Sequence, residues 1–136
     1  MSTQRVLKVP ADEKCLPEVL KFVGDLLEEN GCSPKLRNAI RISMEELFVN
    51  IVLYAYPEGS GWAELRGSVE DGVAHFQLLD GGTPYDPLSN TDPDISLPGE
   101  ERDLGGLGIL MVKKQMDGMT YEYRDGCNIL SMWKRL

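Results

Sequence analysis

The stretch Ser33–Pro57, SPKLRNAIRISMEELFVNIVLYAYP, decides how this 136-residue chain is built. Ser33 is a good helix N-cap and Pro34 suits the first helical position, so a helix of about six turns is expected to start here. One stripe of that helix is apolar or small and is formed by Leu36, Ala39, Ile40, Ser43, Leu47, Ile51 and Tyr54. Such a stripe needs a sheet or other helices to cover it.

The rest of the sequence indicates which elements cover this apolar stripe. Apolar spacing and turn signals predict further elements as follows: a short strand over residues 5–9, a helix over 16–30, a hairpin over 62–79, a third helix up to 116 and a hairpin over 120–135. We therefore expect one α+β domain over residues 1–136. It should be a two-layer sandwich with a mixed, mostly antiparallel sheet covered on one face by three helices.

A long segment between residues 83 and 104 has no periodicity. It holds four prolines, Pro84, Pro87, Pro93 and Pro98, together with many Asp and Ser residues. A loop of this length inside a small domain is usually functional or disordered.

Composition excludes several classes of function. The chain has 14 basic and 22 acidic residues and a net charge of −8, which disfavours general nucleic-acid binding. No apolar run reaches the roughly 18 residues of a membrane helix, and the first residues lack a secretory leader's apolar core. Three cysteines without C-x-x-C spacing fit reduced thiols, so we expect a soluble cytoplasmic protein. The single histidine, His75, rules out an H-E-x-x-H zinc site and is expected on a strand surface.

Glu46 and Asn50 are the first candidate site residues. They are four positions apart, so they share one face of the predicted helix. A carboxylate and an amide placed this way can position a nucleophile beside a hydrated Mg²⁺, which takes few protein ligands. The pair is equally compatible with an ordinary solvated helix face.

Asp80 and Gly82 follow an apolar strand. A carboxylate at a strand end can accept a hydrogen bond from an exocyclic amino group, and a glycine permits close approach of the backbone. A plain turn that ends the strand is the alternative.

Gly106 and Gly108 flank Leu107 at the predicted start of the third helix. Free N–H groups and the helix dipole favour anions there, and glycines leave room for a phosphate. The segment is not a Walker A loop, and Met111 occupies the position where a dinucleotide fingerprint needs glycine.

Taken together, the three segments resemble the GHKL (Bergerat-fold) ATP-binding domains of type II topoisomerases, heat-shock chaperones, sensor histidine kinases and MutL proteins. Within that group the chain is similar to the small bacterial anti-sigma-factor serine kinases. The resemblance covers roughly residues 5–136. It is carried by EELFVNIVLYAY (45–56), which resembles the N-box, by LLDGGTPYDPL (78–88), which resembles the first glycine box, and by GGLGILMVKKQMDGMTYEY (105–123) with GCNILSMWKRL (126–136), which resemble the second glycine box and its strands.

The resemblance implies roles for individual residues. Glu46 would be the general base and Asn50 the Mg²⁺ ligand. Asp80 would contact the adenine amino group, with Gly82 allowing close approach, whereas Gly106 and Gly108 would touch the phosphates. Residues 84–104 would form an ATP lid, and Arg102, the one basic residue in it, is the candidate for a contact near the γ-phosphate. Tyr54 departs from the His or other polar residue common in these kinases, although it could pack in the core.

The resemblance implies an Mg-ATP-dependent serine/threonine protein kinase and anti-sigma factor. Such a protein phosphorylates a STAS-type anti-anti-sigma partner, sequesters a sigma factor and commonly forms a homodimer, for which the apolar face of the first helix is one candidate surface. A non-catalytic ATP/ADP-binding switch that controls a protein partner is the main alternative. A structural interaction domain without nucleotide is a further one.

Overall fold

A computed structural model of the chain describes residues 4–89 and 104–136. The expected lid is therefore described only over residues 84–89, and Arg102 lies outside the described residues. The elements are β1 Arg5–Pro10, α1 Leu16–Glu29, α2 Pro34–Asn50 continued by a π-helical turn Ile51–Ala55, β2 Trp62–Glu70, β3 Val73–Asp80, α3 Leu104–Gln115, β4 Gly118–Arg124 and β5 Cys127–Arg135.

The described strands form one five-stranded sheet in the order β1-β2-β3-β5-β4. Each pairing is antiparallel, so the expected α+β sandwich is confirmed, with a sheet that is antiparallel rather than mixed. Two tight hairpins set the register. Asp71-Gly72 and Asp125-Gly126 both have positive φ, as two-residue turns that match strand twist require.

The helix boundaries follow the local signals. Ser33 caps α2, since its Oγ accepts a hydrogen bond from the Leu36 N–H at 3.3 Å. Gly31 follows α1 with φ of 76°, a left-handed conformation in which glycine is not strained.

The core lies between the helices and one face of the sheet. Alternate residues of the central strands, among them Leu65, Phe76 and Met132, are buried with side chains from α1 and α2. The apolar face of α1 is part of this core: Val19, Val23, Leu26 and Leu27 are buried, so they are not free to form a dimer surface. His75 is exposed on the opposite face, as expected of a strand-surface residue.

Tyr54 was expected on the apolar stripe of the second helix, and this is wrong. The buried positions continue from Leu47 and Ile51 to Ala55. Ile51 and Ala55 are four positions apart, so Tyr54 falls beside the stripe, and the residue is 58% exposed. It lines a cleft instead of filling the core.

Two simpler expectations can be checked in the described residues. Cys15, Cys32 and Cys127 are all free thiols. In the part of the chain that the structure describes, no helix combines the length and apolar character needed to cross a membrane.

Candidate functional site

A cleft opens between the end of α2 and the sheet. The space between the lining residues is about 520 Å³ when the open mouth of the cleft is included. The floor is apolar and a few polar groups converge on it. The lining residues come from five elements and one loop: Leu47, Asn50, Ile51, Tyr54, Ala55, Leu78, Asp80, Thr83, Tyr85, Pro87, Ile109, Tyr121, Asn128 and Leu130.

Asp80 is the last residue of β3 and is 6% exposed. Its Oδ1 accepts two hydrogen bonds of 2.9 Å, from the Gly82 N–H and from the Asn128 side-chain amide. Within the described residues, Oδ2 has no partner, and it is not sealed in the core, because the one buried unpaired side-chain atom there is Arg41 Nε. Asp80 therefore offers a single acceptor oxygen to the cleft.

Gly82 is constrained by the protein itself. A Cβ on Gly82 would overlap the carbonyl oxygen of Ala55 and lie 2.6 Å from the Ala55 Cβ. The neighbouring Thr83 N–H donates to the same carbonyl at 3.0 Å. The glycine thus lets the loop after β3 pack against the end of the π-helical turn, beside the side of the cleft where Asp80 lies.

Tyr56 and Asn128 are site residues that the sequence reasoning missed. The Tyr56 hydroxyl donates to the Trp62 carbonyl at 2.6 Å and accepts from the Gly81 N–H at 2.8 Å, and so ties the loop after β3 to β2. Burial raises the pKa of Tyr56. Asn128 had a usable signal, because it is a polar residue at an inward position that alternates with Leu130 and Met132 on β5.

Asn50 and Glu46 lie one helical turn apart on α2, yet they face different surroundings. Asn50 lines the cleft together with Asp80. Glu46 lies against α3: a Cβ on Gly108 would overlap Glu46 Oε2 and come within 3.1 Å of its Cδ. Gly108 therefore leaves the space that the Glu46 carboxylate occupies.

The two glycines of α3 do not hold equivalent positions. The helix begins at Leu104, so Gly106 lies in the first turn, whose N–H groups have no partner within the helix. Gly108 is the fifth residue of α3, at the beginning of its second turn, where a backbone N–H is normally used within the helix. Its observed contact is the Glu46 side chain.

The polar groups of the cleft fit a nucleotide with Mg²⁺ better than a metal held by protein alone. In the part of the chain that the structure describes, no group of three or more His, Cys, Asp or Glu residues could hold a metal. Mg²⁺ keeps several waters and often takes only one or two protein ligands beside substrate phosphates. Asn50 can supply one such oxygen, and the open Asp80 oxygen suits a donor on a base.

Three comparisons relate the chain to known proteins. Residues 9–134 match the histidine kinase-like ATPase domain family. The serine/threonine-protein kinase BtrW of Bordetella bronchiseptica is 28% identical over 118 residues, which cover 85% of this chain and 82% of that protein.

Two solved structures share the fold. The RsbU and RsbW domains of Rv1364c from Mycobacterium tuberculosis align with a TM-score of 0.69 at 14% identity, over 98% of this chain and 32% of that one. The histidine kinase domain of the blue-light activated histidine kinase from Erythrobacter litoralis EL346 aligns with a TM-score of 0.54 at 15% identity, over 89% of this chain and 61% of that one. This chain thus spans only part of either protein. The family match covers nearly the whole sequence, and the chain belongs to the histidine kinase-like ATPase domain family.

Proposed function

We propose that this protein is an Mg-ATP-dependent serine/threonine protein kinase that phosphorylates a STAS-type anti-anti-sigma partner and also acts as an anti-sigma factor. The family membership supports the use of ATP, and the relative BtrW is itself named a serine/threonine-protein kinase. The STAS partner and the sigma factor follow from the resemblance of the three sequence segments. A cytoplasmic location and a homodimer belong to the same proposal, and a dimer would need a surface other than the buried face of α1.

One observation carries this proposal. Asn50 and Asp80 line the same cleft, and Glu46 lies one helical turn before Asn50, against the start of α3. The carboxylate proposed to bind the base and the amide proposed to bind the metal thus line one cleft, and the carboxylate proposed to accept the proton lies one helical turn from that amide. Phosphoryl transfer depends mainly on such positioning and on charge neutralisation.

Each residue has a distinct role in the proposal. Asp80 accepts a hydrogen bond from the 6-amino group of adenine, and Gly82 keeps the Asp80 loop against Ala55. Gly106 and Gly108 contact the phosphates, and Gly108 also leaves room for Glu46. Arg102 is proposed near the γ-phosphate. Asn50 holds Mg²⁺, which when bound offsets phosphate charge in a chain of net charge −8.

Glu46 is the proposed catalytic residue. Its carboxylate accepts the proton of the partner's serine hydroxyl while that oxygen bonds to the γ-phosphorus and the bond from this phosphorus to the ADP oxygen breaks. The products are ADP and a phosphoserine.

The first test is a calorimetric titration of the nucleotide-stripped protein with ATP, with and without Mg²⁺. We expect binding that depends on Mg²⁺ and is lost in Asn50→Ala. The matched control is Asn38→Ala, an exposed change on the same helix, which should bind as the wild type does. Unchanged affinity of Asn50→Ala in the presence of Mg²⁺ would remove the metal role of Asn50.

The second test separates the kinase from a non-catalytic nucleotide switch. The protein is incubated with γ-labelled ATP and a purified STAS-domain protein, or with the same STAS protein carrying alanine at its phosphorylatable serine. A kinase transfers label to the serine form alone. Binding of ATP without transfer to any STAS protein tested would favour the non-catalytic ATP/ADP switch.

A further inference from the structure

Asn128 uses its whole hydrogen-bonding capacity inside the cleft. Its Nδ2 donates to Asp80 Oδ1 and to the Thr83 carbonyl, both at 2.9 Å. Its Oδ1 accepts from the Tyr85 backbone N–H at 3.0 Å and from the Tyr121 hydroxyl. An asparagine side chain has two donors and one acceptor oxygen with two lone pairs, so no capacity is left for a ligand.

These four contacts also determine which way round the Asn128 amide lies. The two groups that meet Oδ1 are donors, and the two oxygens that meet Nδ2 are acceptors. Turning the amide over would set its NH2 group against the Tyr85 N–H and its oxygen against the oxygens of Asp80 and Thr83. The donor that faces Asp80 is therefore held in place by three contacts that do not involve Asp80.

These contacts of Asn128 restrict the orientation of the Asp80 carboxylate. Oδ1 is taken by Asn128 and by the Gly82 N–H, and the side chain is 6% exposed at the wall of the cleft. Rotation of the carboxylate would break both bonds. Oδ2 is thereby presented to the cleft as an acceptor without a partner among the described residues.

We propose that Asn128 is a positioning residue for base selection: it orients Asp80 so that the free carboxylate oxygen selects a purine bearing a 6-amino group over one bearing a 6-oxo group. An amino group donates to this oxygen, whereas a carbonyl oxygen would face it with no proton between them. A polar group left unpaired in a buried site is costly, so such a site discriminates against the analogue that lacks the donor. This inference rests on the proposed nucleotide-binding function.

The test compares ATP with inosine triphosphate, which differs by a carbonyl in place of the amino group. Calorimetry in Mg²⁺ gives the ratio of the two dissociation constants for the wild type, Asp80→Ala, Asn128→Ala and the double variant. Asn128→Ser retains one side-chain donor and serves as a conservative variant. Ser131→Ala is the matched control, because Ser131 lies on the opposite face of β5 and bonds Gln77 at 3.0 Å, away from the cleft.

We expect the wild type to bind ATP with a dissociation constant roughly 10- to 100-fold lower than that of inosine triphosphate. A hydrogen bond to a charged group contributes a difference of this order. Asn128→Ala should lower this ratio to that of Asp80→Ala, the double variant should lower it no further, and Asn128→Ser should recover part of it. Ser131→Ala should keep the wild-type ratio.

Three results would overturn the inference. One is an equal loss of affinity for both nucleotides in Asn128→Ala, or in Asn128→Ser if the alanine variant does not fold. Another is a double variant in which the reductions of the ratio caused by the two single variants add up, which would mean that Asn128 does not act through Asp80. A wild type that binds neither nucleotide would overturn the proposed function and this inference together.

Discussion

The two carboxylates of the proposed site, Asp80 at its sheet end and Glu46 at its helix end beside the cleft, are held in opposite ways. At the sheet end, Asp80 accepts hydrogen bonds from Asn128 and Gly82, and Asn128 is bonded in turn to the loop after β3 and to Tyr121 of β4. At the helix end, Glu46 has no hydrogen bond or ion pair with the described residues, and its carboxylate occupies the space left by Gly108.

The difference matches what each end is expected to do. A base has the same shape before and after phosphate transfer, so a fixed acceptor suits it. A proton acceptor has to meet a hydroxyl that arrives with a partner protein, and a side chain held by space alone can adjust to it. Changes at the helix end should therefore act on phosphate transfer, and changes at the sheet end on stability and on ATP affinity.

Removing the proton acceptor at the helix end should have the largest effect. Glu46→Gln keeps the shape of the side chain but cannot take a proton, so phosphate transfer should fall by on the order of 10²–10⁴-fold. ATP affinity measured by calorimetry should stay unchanged, since Glu46 does not line the cleft. Glu45→Gln, the adjacent change on α2, is the control. Transfer at the wild-type rate by Glu46→Gln would exclude Glu46 as the base.

Adding one carbon at the helix end should give the next largest effect. In Gly108→Ala the new Cβ displaces the Glu46 carboxylate, and a misplaced catalytic group costs on the order of 10²-fold in rate. The fold should tolerate the change, because the displaced atoms are the far end of a flexible side chain. The rate of label transfer is the measurement.

The control for this change is another helical glycine. A Cβ on Gly24 in α1 would have the Arg41 side chain as its nearest neighbour at 3.5 Å, an ordinary contact. Gly24→Ala should raise the free energy of unfolding by about 0.4–1 kcal/mol and leave transfer unchanged. Equal transfer rates in the two glycine variants would mean that the space at Gly108 has no bearing on Glu46.

At the sheet end, the same kind of addition should affect stability first. A Cβ on Gly82 meets the backbone of Ala55, which cannot move as a side chain does, so Gly82→Ala should lower the free energy of unfolding by about 1–3 kcal/mol. ATP affinity should weaken with it, because the Gly82 N–H bonds Asp80. Urea unfolding measures the change. Gly59→Ala, with nothing within 4 Å of its Cβ, should have little effect, and equal stability of the two variants would contradict the close packing at Gly82.

Removing the Tyr56 hydroxyl should give the smallest of the four effects predicted for the two ends of the site. Tyr56→Phe loses the bonds to Trp62 and Gly81, and we expect a loss of about 1–2 kcal/mol in the free energy of unfolding. Burial raises the pKa of Tyr56 above its ordinary value of 10.0, so its contribution is fully present below pH 10 and is lost as the pH rises through the raised value.

The alkaline range therefore gives a second measurement on the same variant. The free energy of unfolding of the wild type should fall as the pH rises above 10.0, and less steeply in Tyr56→Phe. Some slope should remain, because burial raises the pKa of Tyr121 as well. Tyr54→Phe, an exposed tyrosine on the same helical segment, is the control. An identical slope in the wild type and Tyr56→Phe would contradict the role of the hydroxyl.

Local patterns were enough to predict the elements of this fold. Ser33 caps α2, Gly31 follows α1 in a left-handed conformation, and Asp71-Gly72 makes the tight turn that its sequence favours. Each signal acts within a few residues, so each can be read without knowing what lies across the core. The order of these elements then predicted the sandwich.

Local patterns were less reliable where a residue's surroundings come from distant parts of the chain. By its spacing in the sequence Tyr54 continues the apolar stripe of the helix, but in the structure it lies beside that stripe and lines the cleft. Gly108 belongs to a glycine-rich segment of the kind that binds phosphate, yet the side chain that lies against it is that of Glu46 from α2.

The sequence by itself determined the strands, the helices, their order and the presence of two carboxylates and an amide at suggestive spacing. Only the tertiary structure decided that Asn50 and Asp80 line one cleft, that Glu46 lies against Gly108, and that Asn128, 48 residues further along the chain, donates a hydrogen bond to Asp80. The physical reason is the distance along the chain over which each kind of interaction acts. Helix caps and turns depend on backbone geometry over a few residues, whereas the direction of a buried carboxylate depends on hydrogen bonds that form only after the sheet has assembled.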